Sequence, residues 1–257
     1  MIAEMRGKAD LHIHTSFSDG MASARELLDH VETETDLDVI AVTDHDDIRG
    51  AWEAREAWAR GSFRFDLVAG VEVTTIEGHL LALFVEEPLP NLCRVEEALE
   101  AIHRQGGLAV VPHQMSRLTR SLDRRALIRL PANGRDGAYI DGIETANMSP
   151  AGRSGTRKAA LLNREHLHVA EVGGSDAHFL ACVASAHTEF EGATAGDLKN
   201  AILGKTTRAV NGRHPSLLQL GARQVLRQTY RGLMTTPRSM GWGPTAHSFV
   251  RRIFGTR

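Results

Sequence analysis

The stretch Asp10-Leu-His-Ile-His-Thr-Ser-Phe-Ser-Asp-Gly20 decides the fold and the chemistry that the sequence predicts. Polar and apolar side chains alternate from Asp10 to His14, which is typical of a β-strand, so His12 and His14 are expected on one face. The turn-like run that follows can return the carboxylate of Asp19 to the strand end. These side chains predict a metal site, although the motif alone leaves open a surface strand with solvated histidines.

The size and composition of the chain are those of one globular α/β domain. It has 257 residues, of which 42% are hydrophobic and 24% are charged, close to the length of a single α/β barrel. No apolar run approaches the roughly 20 residues that span a bilayer, and the segment 1–9 lacks the apolar core of a signal peptide. We therefore expect a cytoplasmic protein without membrane contact.

The two cysteines, Cys93 and Cys182, are far apart and form no CxxC spacing. This spacing favours buried free thiols over a disulfide or a thiolate metal site. Any metal must then be held by histidines and carboxylates.

Apolar runs alternate with helical patterns over most of the chain. After the opening strand, strand signals occur at 38–45, 67–72, 79–85, 108–113, 140–144 and 168–173, with a weaker one at 186–190. Helical patterns occur at 24–34, with Ser23 as N-cap, and at 47–60, 94–105, 123–130 and 153–165. Such alternation predicts a parallel sheet with helical crossovers, and at this length a barrel more than an open sheet.

Titratable side chains fall where the predicted strands end. His45, Glu72 and His113 each end a strand, and the run Gly174-Ser-Asp-Ala-His178 follows the last long one. The carboxyl ends of parallel strands converge on the face where barrel enzymes keep their active sites. His79 begins its strand instead, so it reaches this face only if residues 72–79 form a hairpin.

These motifs together resemble those of the PHP (polymerase and histidinol phosphatase) superfamily. The matching runs are His12-Ile-His-Thr-Ser-Phe-Ser-Asp-Gly20, Thr43-Asp-His-Asp46, Gly70-Val-Glu72, His113 and Gly174-Ser-Asp-Ala-His178. The resemblance covers roughly residues 9 to 215. Within the superfamily, the SDG motif and the run TDHDDIRGAWEA look like the stand-alone nucleotide or oligonucleotide phosphoesterase branch. The histidinol phosphatase branch, which is the alternative, usually has a Cys and a His after HxHT that are absent here.

The resemblance implies a distorted (β/α)7 barrel with up to three metal ions at the C-terminal strand ends. Carried over by motif, the first ion is held by His12, His14, Glu72 and Asp176, the second by Asp19, His45 and His178, and the third by Glu72, His79 and His113. Independent chemistry agrees, because nine nitrogen and oxygen donors are too many for one ion and suit two or three divalent ions about 3.5–4 Å apart. Zn, Mn, Fe and Mg all remain open.

The resemblance also implies the reaction, which is hydrolysis of phosphate esters by a metal-bridging hydroxide. Asp19, Glu72 and His178 are the residues that we assign to catalysis. Phosphate needs further cations, and we expect Arg117, Arg153 and Arg157 on the loops after strands to bind substrate. The expected substrate is a nucleotide monophosphate or a short oligonucleotide.

Asp10 and Asp44 are predicted either to orient a ligand imidazole or to be solvated.

Two features depart from the family pattern. The family commonly has His-Pro where this chain has Pro112-His113-Gln114, so the loop that aims His113 can differ. After residue 215 no family motif is present. We therefore divide the chain into a barrel, residues 1–215, and a basic C-terminal helix and tail, residues 216–257.

The charge distribution bears on this tail. Residues 198–257 contain eleven Lys and Arg and no Asp or Glu, whereas residues 1–197 contain 19 basic and 32 acidic side chains, a net charge of −13. We expect the tail to pack on the acidic barrel; attraction of nucleic acid is the alternative.

A nucleic-acid-binding module with a structural metal is therefore a competing function, although a structural site needs only one ion with a closed set of four ligands. An amidohydrolase-like enzyme is disfavoured because no Lys lies between residues 8 and 158 to become carboxylated.

Overall fold

A curved β-sheet forms the centre of the molecule. In the computed structural model, which describes residues 6–114, 120–130, 137–150 and 152–239, nine strands form this sheet in the order β7-β6-β5-β4-β3-β2-β1-β8-β9. The strands are β1 (Arg6–Ile13), β2 (Val39–Val42), β3 (Asp66–Thr74), β4 (His79–Leu83), β5 (Leu108–Val111), β6 (Gly142–Ala146), β7 (Ala170–Gly173), β8 (Ala186–Glu191) and β9 (Arg208–Asn211). The helices are α1 (Ala24–Glu34), α2 (Arg49–Ala59), α3 (Val95–Arg104), α4 (Arg124–Arg129), α5 (Thr156–Leu162), α6 (Ala195–Leu203), α7 (Leu217–Leu220) and α8 (Ala222–Ser239).

The sheet is nearly closed into a barrel, which confirms the predicted fold class. β1, β2 and β3 pair in parallel, as do β5, β6 and β7, whereas β4 is antiparallel to both of its neighbours. At the closure, the Gly173 N–H donates to Thr188 Oγ1 at 2.9 Å. Ala177, just beyond β7, forms a parallel bridge with Ile13 of β1. The strand ends of β1 and β7 therefore meet across the gap.

The apolar side chains form two separate clusters. One fills the barrel and includes Leu11, Leu81 and Val110, and the other lies between the sheet and its helices. Leu11 belongs to the first cluster and Ile13 to the second. The alternation that predicts His12 and His14 on one face also predicts that Leu11 and Ile13 share the other. This second prediction is wrong, because the register of β1 shifts between Asp10 and Ile13.

Helix α1 has the predicted bounds, and its start has a local cause. Ser23 accepts from the Glu26 N–H while the Glu26 carboxylate accepts from the Ser23 N–H, which is a capping box. The predicted helix 153–165 is instead a 3₁₀ turn (Gly152–Ser154), then α5, then a π-helical turn (Asn163–Leu167). The helix predicted to begin near residue 216 is divided into α7 and α8, because Gly221 takes a φ of +78° between them.

Both cysteines are free, as predicted, but only Cys182 is buried, whereas Cys93 is partly exposed. No helix within the described ranges is both long enough and apolar enough to cross a membrane.

Candidate metal centre

The ends of several strands bring all nine predicted metal ligands together at one end of the barrel. β1 delivers His12, the residue directly after it is His14, and β3 delivers Glu72. The loops after β1, β2, β5 and β7 deliver most of the others. The nine side chains fall into four overlapping groups whose ligand atoms lie within 4.8 Å of one another: His14, Asp19, His45 and His178; His12, His113 and Asp176; His12, His14 and Glu72; His45, Glu72 and His79.

Glu72 lies at the centre of these groups and is 1% exposed. Both of its oxygens face imidazoles, as a carboxylate shared between ions would require. Oε1 lies 2.7 Å from both His79 Nδ1 and His113 Nε2. Oε2 lies 3.3 Å from His12 Nε2, 3.3 Å from His14 Nε2 and 3.2 Å from His45 Nδ1.

Two aspartates extend the cluster away from Glu72. Asp176 Oδ1 lies 3.5 Å from His12 Nε2 and 3.4 Å from His14 Nε2. Asp19 Oδ1 lies 3.1 Å from His178 Nε2 and 3.8 Å from His45 Nε2. The neighbours of Asp19 are therefore the second predicted set together with His14.

His79 reaches the site through a hairpin, as the sequence analysis required. β3 and β4 pair antiparallel, with Thr74 opposite His79 next to the turn that joins the two strands. The chain therefore turns back within a few residues of Glu72, and the first residue of β4 points its imidazole at that carboxylate.

Glu144 is a site residue that the sequence analysis missed. It is 1% exposed, and its Oε1 lies 3.2 Å from Nδ1 of His12. Its Oε2 accepts from the His113 N–H at 2.6 Å and from Asn147 Nδ2 at 2.8 Å. A proton on His12 Nδ1 that is donated to Glu144 leaves Nε2 with a free lone pair toward Glu72, which is the tautomer a metal ligand needs. The sequence feature that could have indicated Glu144 is the presence of a carboxylate within a short apolar strand, β6.

Asp44 and Asp10 are buried, yet neither orients a ligand imidazole. Asp44 accepts from the backbone N–H and the hydroxyl of Thr15, and from the hydroxyl of Ser18. Asp10 accepts from the N–H groups of Ser175 and Ala184, and burial raises the pKa of Asp10 to about 6. Both predicted roles are wrong, because these carboxylates fix the loops that follow β1 and β7.

Glycines let these loops approach the ligands closely. A Cβ on Gly20 would lie 2.3 Å from the His14 carbonyl oxygen, and a Cβ on Gly174 would lie 2.6 Å from both Glu144 Oε1 and His12 Cβ. His113 and Asp176 take positive φ values of 29° and 55°. Positive φ in residues other than glycine costs energy and is concentrated at functional sites.

The electrostatics of the cluster depend on the balance of acids and imidazoles. Burial alone would raise the pKa of Glu72, but His45, His79 and His12 hold it well below its usual range. Burial alone would lower the pKa of His14, but Asp176 and Glu72 raise it to about 10. For His45 burial prevails, and its pKa falls to about 3. The carboxylates therefore remain charged at neutral pH and attract cations.

The donor set fits divalent metal ions. Among the described residues, both ring nitrogens of His14, Nδ1 of His45 and Oδ1 of Asp19 are buried without a hydrogen-bond partner. A buried polar atom that lacks a partner is costly, and such atoms point to an unfilled ligand role. Imidazole nitrogen and carboxylate oxygen are ligands for Zn, Mn and Fe, and the carboxylates also suit Mg.

Two of the three arginines predicted to bind substrate lie in the segment that follows β6: Arg153 in a 3₁₀ turn and Arg157 in α5, not in a loop. Arg153 and Arg157 are exposed, and Arg153 begins its turn through an N–H bond to the Ser149 carbonyl. Ser149 in turn donates its hydroxyl to Asp176 Oδ2 at 2.9 Å. Arg117 lies outside the described residues.

Comparisons with known proteins agree with this geometry. The PHP domain family matches residues 10–124, and the PHP-associated family matches residues 157–207. The uncharacterized protein MJ1587 of Methanocaldococcus jannaschii is 36% identical over 151 residues, which cover 54% of this chain and 81% of that protein. The 5'-3' exoribonuclease Rnm of Escherichia coli is 35% identical over 88 residues, which cover 33% of this chain and 30% of that protein.

A solved structure has the same fold. It is a two-domain protein from Bacteroides vulgatus that contains a predicted PHP-like metal-dependent phosphoesterase, with a TM-score of 0.65 and 18% identity. The match covers 88% of this chain and 70% of that one. At this identity, the likeness supports the barrel fold and nothing finer.

Proposed function

The chain belongs to the PHP family of metal-dependent phosphoesterases, and from that premise we propose that it hydrolyses phosphate esters of nucleotides or short oligonucleotides. The observation that carries the proposal is the convergence of nine imidazoles and carboxylates, among them buried atoms with no hydrogen-bond partner. One structural ion would need only four of them.

We propose that the nine residues hold two or three divalent ions, with Glu72 shared between them. Its two oxygens face different histidines, so one carboxylate can serve two ions. Asp19, His45 and His178 are proposed for one ion on the outer side, together with His14. Such ions, when bound, acidify coordinated water and neutralise charge on phosphoryl oxygens.

The protein's own groups orient these ligands. Glu144 holds the tautomer of His12, and Ser149 and Asn147 connect the loop after β6 to Asp176 and Glu144. Because no nucleophilic side chain is needed when water is activated in this way, Asp19, Glu72 and His178 are proposed to act as ligands in catalysis. Exposed Arg153 and Arg157, with Arg117, are proposed to neutralise the substrate phosphate.

The substrate class rests on two supports. The relative Rnm is a 5'-3' exoribonuclease, although the match spans under a third of its length. The SDG motif, Ser18 to Gly20, matches the stand-alone phosphoesterase branch. Both favour a phosphorylated nucleoside over histidinol phosphate.

The test combines elemental analysis with a substrate panel. We expect two or three transition-metal ions per chain, and we expect chelation to abolish phosphate release from nucleotides or short oligonucleotides and readdition of Mn or Zn to restore it. A panel of nucleoside monophosphates, oligonucleotides, bis(p-nitrophenyl) phosphate and histidinol phosphate separates the substrate classes. Active protein with one ion or none would refute the metal assignment, and exclusive hydrolysis of histidinol phosphate would refute the substrate class.

A further inference from the structure

The C-terminal helix α8 lies directly against Asp19 and the loop that carries it. Gln228 donates from Nε2 to Asp19 Oδ2 at 3.3 Å. Arg231 donates from Nη2 to the carbonyl oxygens of Ser16 and Ser18 at 2.8 and 3.2 Å. α8 therefore holds both the carboxylate of Asp19 and the backbone immediately before it, although no motif in the sequence links the two segments.

One face of α8 is built for this approach. Val225, Gln228 and Gly232 recur at the spacing of a single helical face, and Val225 packs against the main apolar cluster. A Cβ on Gly232 would lie 3.0 Å from Asp19 Oδ2. The absence of a side chain at Gly232 thus allows the helix to come close to the aspartate.

Asp19 needs an external support because it lies on a loop and not on a strand. Its two oxygens have different surroundings: Oδ1 faces His178 and is buried without a hydrogen-bond partner among the described residues, whereas Oδ2 accepts from Gln228. The bond from Gln228 therefore restrains the carboxylate in the orientation that turns its other oxygen toward His178.

We propose that α8 completes the metal centre and that Gln228 is a positioning residue for Asp19. Gln228 holds Oδ2, and this contact directs Oδ1 toward the ion proposed for His14, His45 and His178. Arg231 fixes the position of the loop after β1 by donating hydrogen bonds to the carbonyl oxygens of Ser16 and Ser18. The inference rests on the metal site of the proposed function and adds to it a residue outside every matched family segment.

The first experiment replaces Gln228 by methionine, which has a similar length and cannot donate. The matched control is Gln224→Met, the same change at an exposed position of the same helix. Calorimetric titration of chelator-stripped protein with Mn or Zn counts the ions and gives their affinities. We expect Gln228→Met to weaken one ion about tenfold or more, as is typical for loss of a residue that orients a ligand, and Gln224→Met to match the wild type. Activity lost at low metal should return at high metal concentration.

The second experiment replaces Gly232 by alanine and separates positioning from stability. Alanine is the better helix former, so a purely structural α8 would keep its thermal midpoint in chelator and its metal binding. If α8 positions Asp19, the added methyl group presses on Oδ2, and the weakest ion should lose affinity while the midpoint in chelator does not fall.

The outcomes separate the two levels of the proposal. Wild-type ion number and affinity in both Gln228→Met and Gly232→Ala would overturn the role of α8 and leave the proposed function standing. Failure of the wild-type protein to bind ions would overturn the proposed function and this inference with it.

Discussion

Two clusters of histidine and carboxylate lie at opposite ends of the barrel, one half-buried and one buried, and they differ in how their hydrogen bonds are satisfied. At the amino ends of the strands, His103 Nε2 lies 2.9 Å from Asp141 Oδ2 and its Nδ1 lies 2.5 Å from the Gly137 carbonyl. Asp141 also accepts from the Ala109 N–H at 2.7 Å. Every nitrogen of this histidine has a protein partner.

The metal centre at the carboxyl ends is different. Among the described residues, neither ring nitrogen of His14 has a partner in hydrogen-bonding geometry, although Nε2 lies 3.3 Å from Glu72 Oε2. Five imidazoles surround the single carboxylate of Glu72. Contact between an acid and a histidine therefore does not distinguish a functional cluster from a structural one. Buried nitrogen and oxygen atoms without a hydrogen-bond partner do distinguish the two, because only a bound ion would satisfy them.

Of the changes that test the difference between the two clusters, replacing Glu72 by glutamine should have the largest effect on activity. The amide removes the buried charge that two proposed ions share, so we expect phosphate release to fall about a hundredfold or more, roughly 2.7 kcal/mol of barrier. Steady-state assays with saturating metal measure this loss. The control is Arg153→Met, a change at an exposed position, which should cost far less.

A Glu72→Gln variant that keeps activity within about tenfold of the wild type would contradict the bridging role. Circular dichroism in chelator shows whether the variant is still folded, so that a collapsed barrel is not mistaken for a lost ligand.

The next largest effect should come from replacing Glu144, which supports the ligand His12 but is not one of the nine candidate ligands. Glu144→Gln keeps the size of the side chain and removes the charge that faces His12 Nδ1. We expect metal affinity to fall about 10- to 100-fold, with activity recovered at high metal concentration. Titration of stripped protein measures the affinity, and a variant that is inactive at all metal concentrations would place Glu144 among the ligands instead.

The smallest effect on activity should come from His103→Gln, at the amino ends of the strands, where both ring nitrogens of the histidine already have protein partners. Burial alone would lower the pKa of His103, but Asp141 and the Gly137 carbonyl raise it above its ordinary value. A raised folded pKa means that this contribution to stability is complete below about pH 6.5 and is lost as pH rises through the folded pKa. We expect unchanged metal content and a loss of about 2 kcal/mol in the free energy of unfolding at low pH.

Denaturant titrations of the wild type and His103→Gln at several pH values check this prediction. The difference between the two proteins should shrink as the pH rises. A large loss of activity in folded His103→Gln would remove the distinction between the two ends of the barrel.

Much of the barrel and all nine candidate ligands could be predicted from the sequence, for a physical reason. Each ligand lies in a short motif at a strand end, and the carboxyl ends of parallel strands must meet at one end of a barrel. The period of β1 places His12 and His14 together, and the short hairpin returns His79 to Glu72. Local pattern and general sheet geometry are sufficient for these residues.

Only the tertiary structure decided how the ligands are grouped and supported. Glu144 meets His12 across 132 residues, and Gln228 meets Asp19 across 209. Asp44 and Asp10, which the motifs place beside the ligands, turn to loop backbone instead. No local spacing encodes such contacts, because they depend on how β6 packs beside β5 and how α8 lies on the loop after β1, and each is set by the packing of the whole barrel.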